Sequence, residues 1–242
     1  MDKDIIIGRN PVIEALKSGR NIEKIYIAKG TEGSVKKIAA MAGEKGVPIH
    51  YEEKRIIDKL SDENHQGVVA YVSAYAYCEV EDILERAKSR GEEPFVVLLD
   101  GIEDPHNLGS IIRTAEAAGV HGVIIPKRRA SGLTAVAVKA SAGAAEHILC
   151  AKVSNISQTI DKLKDAGIWI AACDIEGEVY YKADLQGGIG LVIGGEGTGI
   201  GSLIKRKCDF TISVPMKGKV DSLNAANAAS ILMYEVRKQR DG

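Results

Sequence analysis

The sequence predicts an α/β protein, and its second part is predicted to contain a mostly parallel sheet. From Phe95 onward, short and fully apolar segments alternate with longer segments that have helical spacing. Strands of a parallel sheet are buried on both faces and therefore appear as continuous hydrophobic runs, such as residues 95–99. The chain has 242 residues, which is enough for one large domain or two modest ones.

Residues 5–73 have the pattern of a small α/β domain. The spacing of their apolar residues predicts strands at 25–27, 47–51 and 67–73 and helices at 35–44 and 53–60. We expect the junction at 74–77, and the polar run that follows has the spacing of a helix over 79–90. The predicted domains are therefore residues 1–75, a linker with a first helix at 76–93, and residues 94–242.

The second domain continues with alternating helices and strands. After the strand at 95–99 the pattern predicts a helix over 108–118 and a strand at 122–125. Further strands are predicted at 168–172, 191–193 and 210–214, and a final helix over 224–238. Such an alternation places helices on both faces of the sheet.

The composition is typical of a soluble globular protein. No segment approaches the roughly 20 apolar residues that span a bilayer, and residues 1–5 lack the start of a secretion signal. The four cysteines form no CxxC pair, so we expect free, mostly buried thiols and no metal site: Cys78, Cys150, Cys173 and Cys208. Free thiols indicate a reducing compartment, and the sequence predicts a cytoplasmic protein.

The net charge of −1 does not by itself indicate a nucleic-acid-binding protein. Local basic clusters occur at 127–129, 205–207 and 237–240, with Lys217 and Lys219 as a fourth small group. Each cluster is equally compatible with a solvated surface and with contacts to phosphates.

Polar residues follow the strand at 95–99, where ligands of open α/β sheets bind. Asp104-Pro105 predicts a turn, and Asn107 is expected to cap the next helix. In that helix the apolar residues cluster on one face and Arg113 projects roughly opposite to them. The periodicity therefore directs Arg113 to solvent or to a partner subunit.

A glycine-rich loop, residues 194–201, follows the apolar strand at 191–193. Glycines allow the backbone to approach a ligand closely. A dinucleotide fingerprint would be expected near the first βαβ unit, and no GK[ST] follows for a phosphate-binding loop. A plain turn stays possible, although it would not require Glu196 in its middle.

A third loop, residues 213–224, leads into an alanine-rich helix. Ser222 and Asn224 are both suited to the start of that helix. The small residues at 225–230 permit close packing against another element. One N-cap and one buried helix would explain the segment alone, but three such loops in one domain favour a site.

Together these segments resemble the SpoU (TrmH-type) methyltransferases of the SPOUT superfamily. The matching motifs, in order, are Asp100-x-x-x-Asp104-Pro105-x-Asn107-x-Gly109-x-Ile111-Ile112-Arg113-Thr114-Ala115, Gly194-x-Glu196-Gly197-x-Gly199 and Pro215-Met216-x-Gly218-x-Val220-x-Ser222-Leu223-Asn224. The first domain is similar to the substrate-binding domain of the enzymes that methylate a 23S rRNA guanosine, through Gly8-Arg9-Asn10-Pro11-Val12-x-Glu14-Ala15-Leu16 and His65-Gln66-Gly67-Val68.

The resemblance implies a SPOUT α/β domain with a deep trefoil knot, preceded by a small ribosomal-protein-like substrate-binding domain. It further implies 2′-O-methylation of a ribose in RNA, with S-adenosyl-L-methionine as the cofactor. The implied catalytic group is Asn107, Arg113, Glu196, Ser222 and Asn224. The implied cofactor contacts are Gly194, Val214, Met216 and Leu223.

The resemblance also implies a homodimer through the knotted domain, with RNA rather than DNA or membrane as the partner. The expected substrate is 23S rRNA, and the alternative is tRNA or another rRNA site. An inactive RNA-binding assembly factor is the alternative of another class, and an NAD-dependent oxidoreductase is a distant third. Retention of all five residues of the implied catalytic group favours an active enzyme.

Overall fold

The computed structural model describes residues 5–18, 20–61, 63–72 and 75–242. The chain forms two compact units: Met1–Ala76 with Gly132–Ala135, and Tyr77–Ser131 with Val136–Gly242. Residues 1–4, where the sequence predicts no secretion signal, lie outside the described residues. So do residue 73, at the end of a predicted strand, and residue 74, in the expected junction. No helix in the described part of the chain has the length and apolar character needed to cross a membrane.

The first unit is a four-stranded mixed sheet with helices. Its elements are β1 (Ile5–Ile7), α1 (Arg9–Lys17), β2 (Ile22–Ala28), α2 (Val35–Glu44), β3 (Ile49–Glu52), α3 (Lys54–Ile57) and β4 (Val68–Val72). The strand order is β1-β4-β2-β3, in which β2 and β3 are parallel and β4 is antiparallel to both of its neighbours. The predicted strands and helices are confirmed, although α3 is shorter than the expected helix over 53–60.

The two faces of this sheet are covered differently. Residues of α1 and α2, among them Leu16 and Ile38, form a buried cluster with Ile25 and Ile27 of β2. A smaller cluster joins Ala28, Val69 and Ile57 on the other side. The first unit therefore has its main core on one face of its sheet.

The second unit is built around one parallel sheet. Its elements are α4 (Val80–Ser89), β5 (Phe95–Asp100), α5 (Pro105–Ala117), β6 (Gly122–Pro126), α6 (Ala135–Ala140), β7 (Leu149–Val153), α7 (Ile156–Asp165), β8 (Trp169–Val179), β9 (Ile189–Gly194), α8 (Ser202–Lys207), β10 (Phe210–Ser213) and α9 (Ala225–Asp241). The strand order is β10-β8-β9-β5-β6-β7, and every neighbouring pair is parallel. The prediction of a mostly parallel sheet buried on both faces is confirmed, since β5 and β9 are buried along nearly their whole length. The trefoil knot stays a prediction.

Helix α5 begins earlier than predicted, and its cap is a different residue. The Asp104 carboxylate accepts the backbone N–H of His106 at 2.9 Å, and Pro105 occupies the first helical position. Proline suits that position because it needs no hydrogen-bond partner for its nitrogen. The prediction that Asn107 caps this helix is therefore wrong, and Asn107 lies within the first turn. The helical periodicity predicts that Arg113 projects away from the apolar face, and Arg113 is exposed.

The expectation of free thiols is confirmed for all four cysteines. Cys150 is buried, whereas the other three are half-buried. Burial raises the pKa of Cys150 to about 12 and the pKa of Cys78 to about 11. These thiols therefore stay protonated near neutral pH and are poor nucleophiles.

Candidate active site

Three loops of the second unit meet at the carboxyl edge of its sheet. Asp100 at the end of β5 pairs with Gly194 at the end of β9, and β10 ends at the same edge. A cavity of about 700 Å³ opens there. It is lined by residues 173–175 of β8, by residues 193–199 at the end of β9 and after it, and by residues 221–225 of the third loop and the start of α9. The remaining lining residues are Ile212, Val214, Met216, Ala228 and Leu232.

The glycine-rich loop is folded tightly against its own chain. Asp100 holds it at two points, because its backbone oxygen accepts from Gly195 N and its carboxylate accepts from Gly201 N, each at 2.8 Å. A Cβ atom on Gly195 would lie 2.2 Å from the backbone oxygen of Gly101, and one on Gly194 would lie 2.3 Å from the carbonyl carbon of Gly199. These two glycines are therefore required by close approach within the chain as well as by any ligand.

A hydrogen-bonded group joins the three loops at the cavity. The amide nitrogen Nδ2 of Asn107 donates to Glu196 Oε1 at 3.1 Å. Nδ2 of Asn224 donates to the same carboxylate oxygen at 2.5 Å and to Asn107 Oδ1 at 3.0 Å. Two amide donors on one carboxylate oxygen hold that oxygen in place. We call these three residues the Asn-Glu-Asn group.

The third loop places several predicted residues on the cavity wall. Val214, Met216, Ser222 and Leu223 all line it. The loop is anchored at its start, where Ser213 Oγ donates to the backbone oxygen of Gly177 at 2.8 Å. Its other end is fixed by the start of α9, whose N-cap is Asn224 as expected from the sequence.

Arg113 is separate from the other predicted residues. It lies six positions after Asn107 in α5 and does not line the cavity. Six residues correspond to about 1.7 helical turns, so the two side chains leave the helix in different directions. Within one chain, every predicted site residue except Arg113 and Asn107 lines the cavity, and Asn107 is joined to them by its hydrogen bonds to Glu196 and Asn224.

Two features of the site were not predicted. The motif contains Asp100 but assigns it no role, although its position at the end of an apolar strand is the signal that indicates a role at this edge. The second feature is the wall formed by Cys173, Asp174 and Ile175. Burial raises the pKa of the Cys173 thiol well above its usual range, so Cys173 contributes a neutral surface rather than a nucleophile. Among the described residues, no group of His, Cys, Asp and Glu could hold a metal ion.

Comparison with known protein families identifies both parts of the chain. The pattern of the SpoU rRNA methylase family matches residues 94–234, more than half of the sequence. The chain belongs to this family. The pattern described as RNA 2′-O ribose methyltransferase substrate binding matches residues 5–78.

Relatives of similar length support the assignment across the whole chain. YacO of Bacillus subtilis, whose name places it in the TrmH family of tRNA/rRNA methyltransferases, is 48% identical over 98% of this chain and 96% of its own. A protein of Staphylococcus saprophyticus with the same family name is 45% identical over 100% of this chain and 98% of its own.

Solved structures of SpoU methyltransferases share the fold. AviRb from Streptomyces viridochromogenes, in complex with the cofactor AdoMet, is 26% identical with a TM-score of 0.62, covering 97% of this chain and 89% of its own. An AdoMet-bound rRNA methyltransferase from Sinorhizobium meliloti is 28% identical with a TM-score of 0.62, covering 97% and 87% respectively. The second unit thus has the SPOUT fold that the sequence motifs implied.

Proposed function

We propose that this SpoU-family protein is an RNA methyltransferase that transfers a methyl group from S-adenosyl-L-methionine to a ribose 2′-hydroxyl. The observation that carries the proposal is the Asn-Glu-Asn group, because it joins all three family motifs beside one cavity. A site that only stabilised the fold would not need an exposed carboxylate fixed by two amides.

The cavity suits the proposed cofactor. Its volume of about 700 Å³ falls within the usual range for a small-molecule site. The apolar residues Met216, Leu223 and Val214 line it together with Gly194. These four residues would hold S-adenosyl-L-methionine, which supplies an electrophilic methyl group when bound.

The protein's own task is to align a ribose hydroxyl with that methyl group and to stabilise the oxygen as it loses its proton. Alignment alone can lower such a barrier by several kcal/mol. We assign Glu196, Ser222 and the two asparagines to positioning at the cavity. Arg113 would stabilise the developing negative charge on the oxygen, since a guanidinium is essentially never deprotonated and is unsuited to act as a base.

The separation of Arg113 from the cavity supports a homodimer formed by the second unit. Arg113 is exposed on α5, and in a symmetric dimer it could reach the cavity of the partner. Light scattering on the purified protein tests this proposal. A monomer that methylates RNA at full rate would contradict it.

We further propose that residues 1–75 select the RNA and that residues 94–242 carry out the transfer. The match of residues 5–78 to a substrate-binding family supports this division. The proposed substrate is a guanosine of 23S rRNA, which also places the enzyme in the cytoplasm. A tRNA substrate is the alternative, because the relatives' names include tRNA and rRNA equally.

The decisive experiment measures transfer of labelled methyl groups to unmodified 23S rRNA and to bulk tRNA. The product is mapped by the resistance of a 2′-O-methylated linkage to alkaline cleavage. Label at one 23S guanosine would support the whole proposal, and label in tRNA would change the substrate alone. Cofactor binding without transfer to either RNA would favour the inactive assembly factor.

A further inference from the structure

We propose that one face of the first unit's sheet is a stacking site for unpaired RNA bases, formed by Tyr26, His50 and Tyr71 together with Lys24. We call this set the aromatic face. The inference deepens the proposed function, because it assumes that the first unit selects RNA. It names the residues that would do so and the kind of RNA that they would select.

The strand register places the four side chains together. Tyr26 of β2 pairs with His50 of β3, and Lys24 of β2 pairs with Tyr71 of β4. Cross-strand partners lie on the same side of a sheet, and so do residues two apart in one strand. The aromatic face therefore spans three adjacent strands on the side opposite the core of α1 and α2.

The rings contact one another in a continuous arrangement. The Tyr26 and His50 rings are stacked with their centroids 5.2 Å apart, and the Tyr71 ring meets Tyr26 edge-on at 5.8 Å. Lys24 Nζ lies 5.4 Å from the centre of the Tyr26 ring and 5.1 Å from that of Tyr71. Packing against one another restricts the rings before any ligand binds, which lowers the entropy lost on binding.

These side chains are accessible to a ligand. His50 is exposed, and Lys24, Tyr26 and Tyr71 are half-buried. Ile57 and Leu60 pack at the other end of the same face, against Ala28 and Val69. Tyr26 and Tyr71 also pack against this cluster, which holds their rings in place, and the rest of their surface lies beside the ammonium group of Lys24.

The chemistry of the aromatic face indicates an unpaired nucleotide. Every base has a π-face that can stack on an aromatic ring, and a nearby ammonium group attracts the phosphate. Bases within a duplex are already stacked on their neighbours and cannot use such a surface. Glu52 is the acidic residue on this side of β3, and it pairs with Ala28 at the end that the apolar cluster occupies.

The test uses two RNAs of equal composition, a hairpin whose loop carries 5-iodouridine and a fully paired duplex. Affinity is measured by fluorescence anisotropy for the whole protein and for three variants, Tyr26→Leu, Tyr71→Leu and Tyr26→Phe. The matched control is Tyr51→Leu, because Tyr51 is 52% exposed and pairs with Ile27 on the opposite face. Circular dichroism verifies that each variant is folded.

Each leucine variant should bind the hairpin roughly tenfold more weakly, since a stacked base contributes on the order of 1–3 kcal/mol. The phenylalanine variant and Tyr51→Leu should bind as the unchanged protein does. Light should crosslink the hairpin loop, and not the duplex, to the peptides that contain Tyr26 or Tyr71. Hairpin affinity unchanged in both leucine variants would overturn the proposal and leave this face to a protein partner.

Kinetics separate this inference from the proposed function. In methyl transfer, the leucine variants should raise KM for RNA and leave kcat nearly unchanged. Transfer with an unchanged KM would refute the aromatic face alone. Tyrosine-dependent hairpin binding without any methyl transfer would support the aromatic face and refute the proposed reaction.

Discussion

Asn224 joins the start of α9 to Glu196 through both ends of its side-chain amide. Its Nδ2 donates to Glu196 Oε1 at 2.5 Å, while its Oδ1 accepts from the backbone nitrogens of Ala226 at 2.9 Å and Asn227 at 3.3 Å. The helix cap therefore fixes the amide, and the amide fixes the carboxylate. Local helix formation and the geometry of the candidate site depend on the same side chain.

Replacement of Asn224 by aspartate should separate these two roles. The Asn224→Asp variant would keep the cap, because aspartate and asparagine are nearly equal at that position. It would lose both donated hydrogen bonds and place a second carboxylate against Glu196, so methyl transfer should fall roughly a hundredfold. Asn227→Asp is the control, since Asn227 is exposed in the first turn of the same helix. Equal rates for the two variants would exclude Asn224 from the catalytic group.

Removal of the Arg113 side chain should abolish most methyl transfer without changing stability. Arg113 is exposed, so its truncation should change the free energy of unfolding by less than about 0.5 kcal/mol. The Arg113→Lys variant tests the role of the guanidinium shape. A rate comparable to that of the unchanged enzyme would indicate that a positive charge alone is sufficient.

Mixed dimers test whether Arg113 acts on the partner's site. Arg113→Ala and Asn224→Asp protomers are unfolded together, refolded and assayed. If each site uses Arg113 of one protomer and Asn224 of the other, about a quarter of the full activity should return, because half of the dimers are mixed and each has one intact site. The same mixture should stay inactive if Arg113 serves the site of its own chain.

Local patterns were sufficient to predict much of the fold. Helix α2 occupies the predicted residues 35–44, and the apolar runs of β5 and β9 became the central strands. Strand β8 is longer than the predicted 168–172, because its polar second half is held by pairing with β10, as in the register of Glu178 with Ile212. Helix α7 (Ile156–Asp165) and strand β7 were not predicted at all. Edge strands such as β7 carry a weaker apolar signal than central ones.

The sequence predicted only part of the candidate site. Helical periodicity correctly directed Arg113 away from the core, and the motifs identified residues that now line one cavity. The hydrogen bonds of the Asn-Glu-Asn group join residues 28 to 117 positions apart, and no local pattern encodes such contacts. The capping role assigned to Asn107 was wrong because Asp104 and Pro105 start the helix first.

The Gly195→Ala substitution should weaken cofactor binding more than tenfold. The new Cβ atom would lie 2.2 Å from the backbone oxygen of Gly101, so the loop would have to move away from the cavity wall. Gly218→Ala is the matched control, because nothing lies within 4 Å of its Cβ position. Calorimetric titration with S-adenosyl-L-methionine measures both variants. Equal affinities would show that the loop tolerates displacement.

Two arginines of α9 should differ sharply in their contribution to stability. Arg240 donates to the backbone oxygens of Glu93, Pro94 and Gly187, and its guanidinium carbon lies 5.1 Å from the centre of the Phe95 ring. Truncation to alanine leaves those carbonyl groups without their donor, and the free energy of unfolding should fall by about 2–3 kcal/mol.

Arg237→Ala is the control for Arg240→Ala. Arg237 forms an exposed ion pair with Asp241 one turn along the same helix, and its loss should cost about 0.5 kcal/mol or less. Urea unfolding, monitored by the fluorescence of Trp169, the single tryptophan, reports on the second unit in both variants. Similar losses for the two variants would contradict the assigned contacts.

His121 should make the second unit less stable as the pH falls. Its side chain is fully buried, Nδ1 accepts from Phe95 N at 3.0 Å, and Nε2 lies 2.9 Å from the Glu92 carboxylate. Burial lowers the pKa of His121 below its usual value of 6.5, although Glu92 partly opposes the shift. The unfolded chain therefore takes up a proton at a higher pH than the folded chain does. The stabilisation that the buried, neutral imidazole of His121 provides is fully present above pH 6.5. It is lost as the pH falls from there toward the folded-state pKa.

A His121→Asn variant isolates this effect, because the asparagine oxygen can still accept from Phe95 N but does not titrate. Between pH 7.5 and pH 5.5, about one unit on either side of the usual histidine pKa, the unchanged protein should lose more free energy of unfolding than the variant. The measurement is urea unfolding followed by Trp169 fluorescence, which excludes the histidines of the first unit from the signal. Parallel losses in the two proteins would assign the pH dependence to other groups. A larger loss in the variant would mean that Glu92 outweighs burial, so that the pKa of His121 is raised in the folded state.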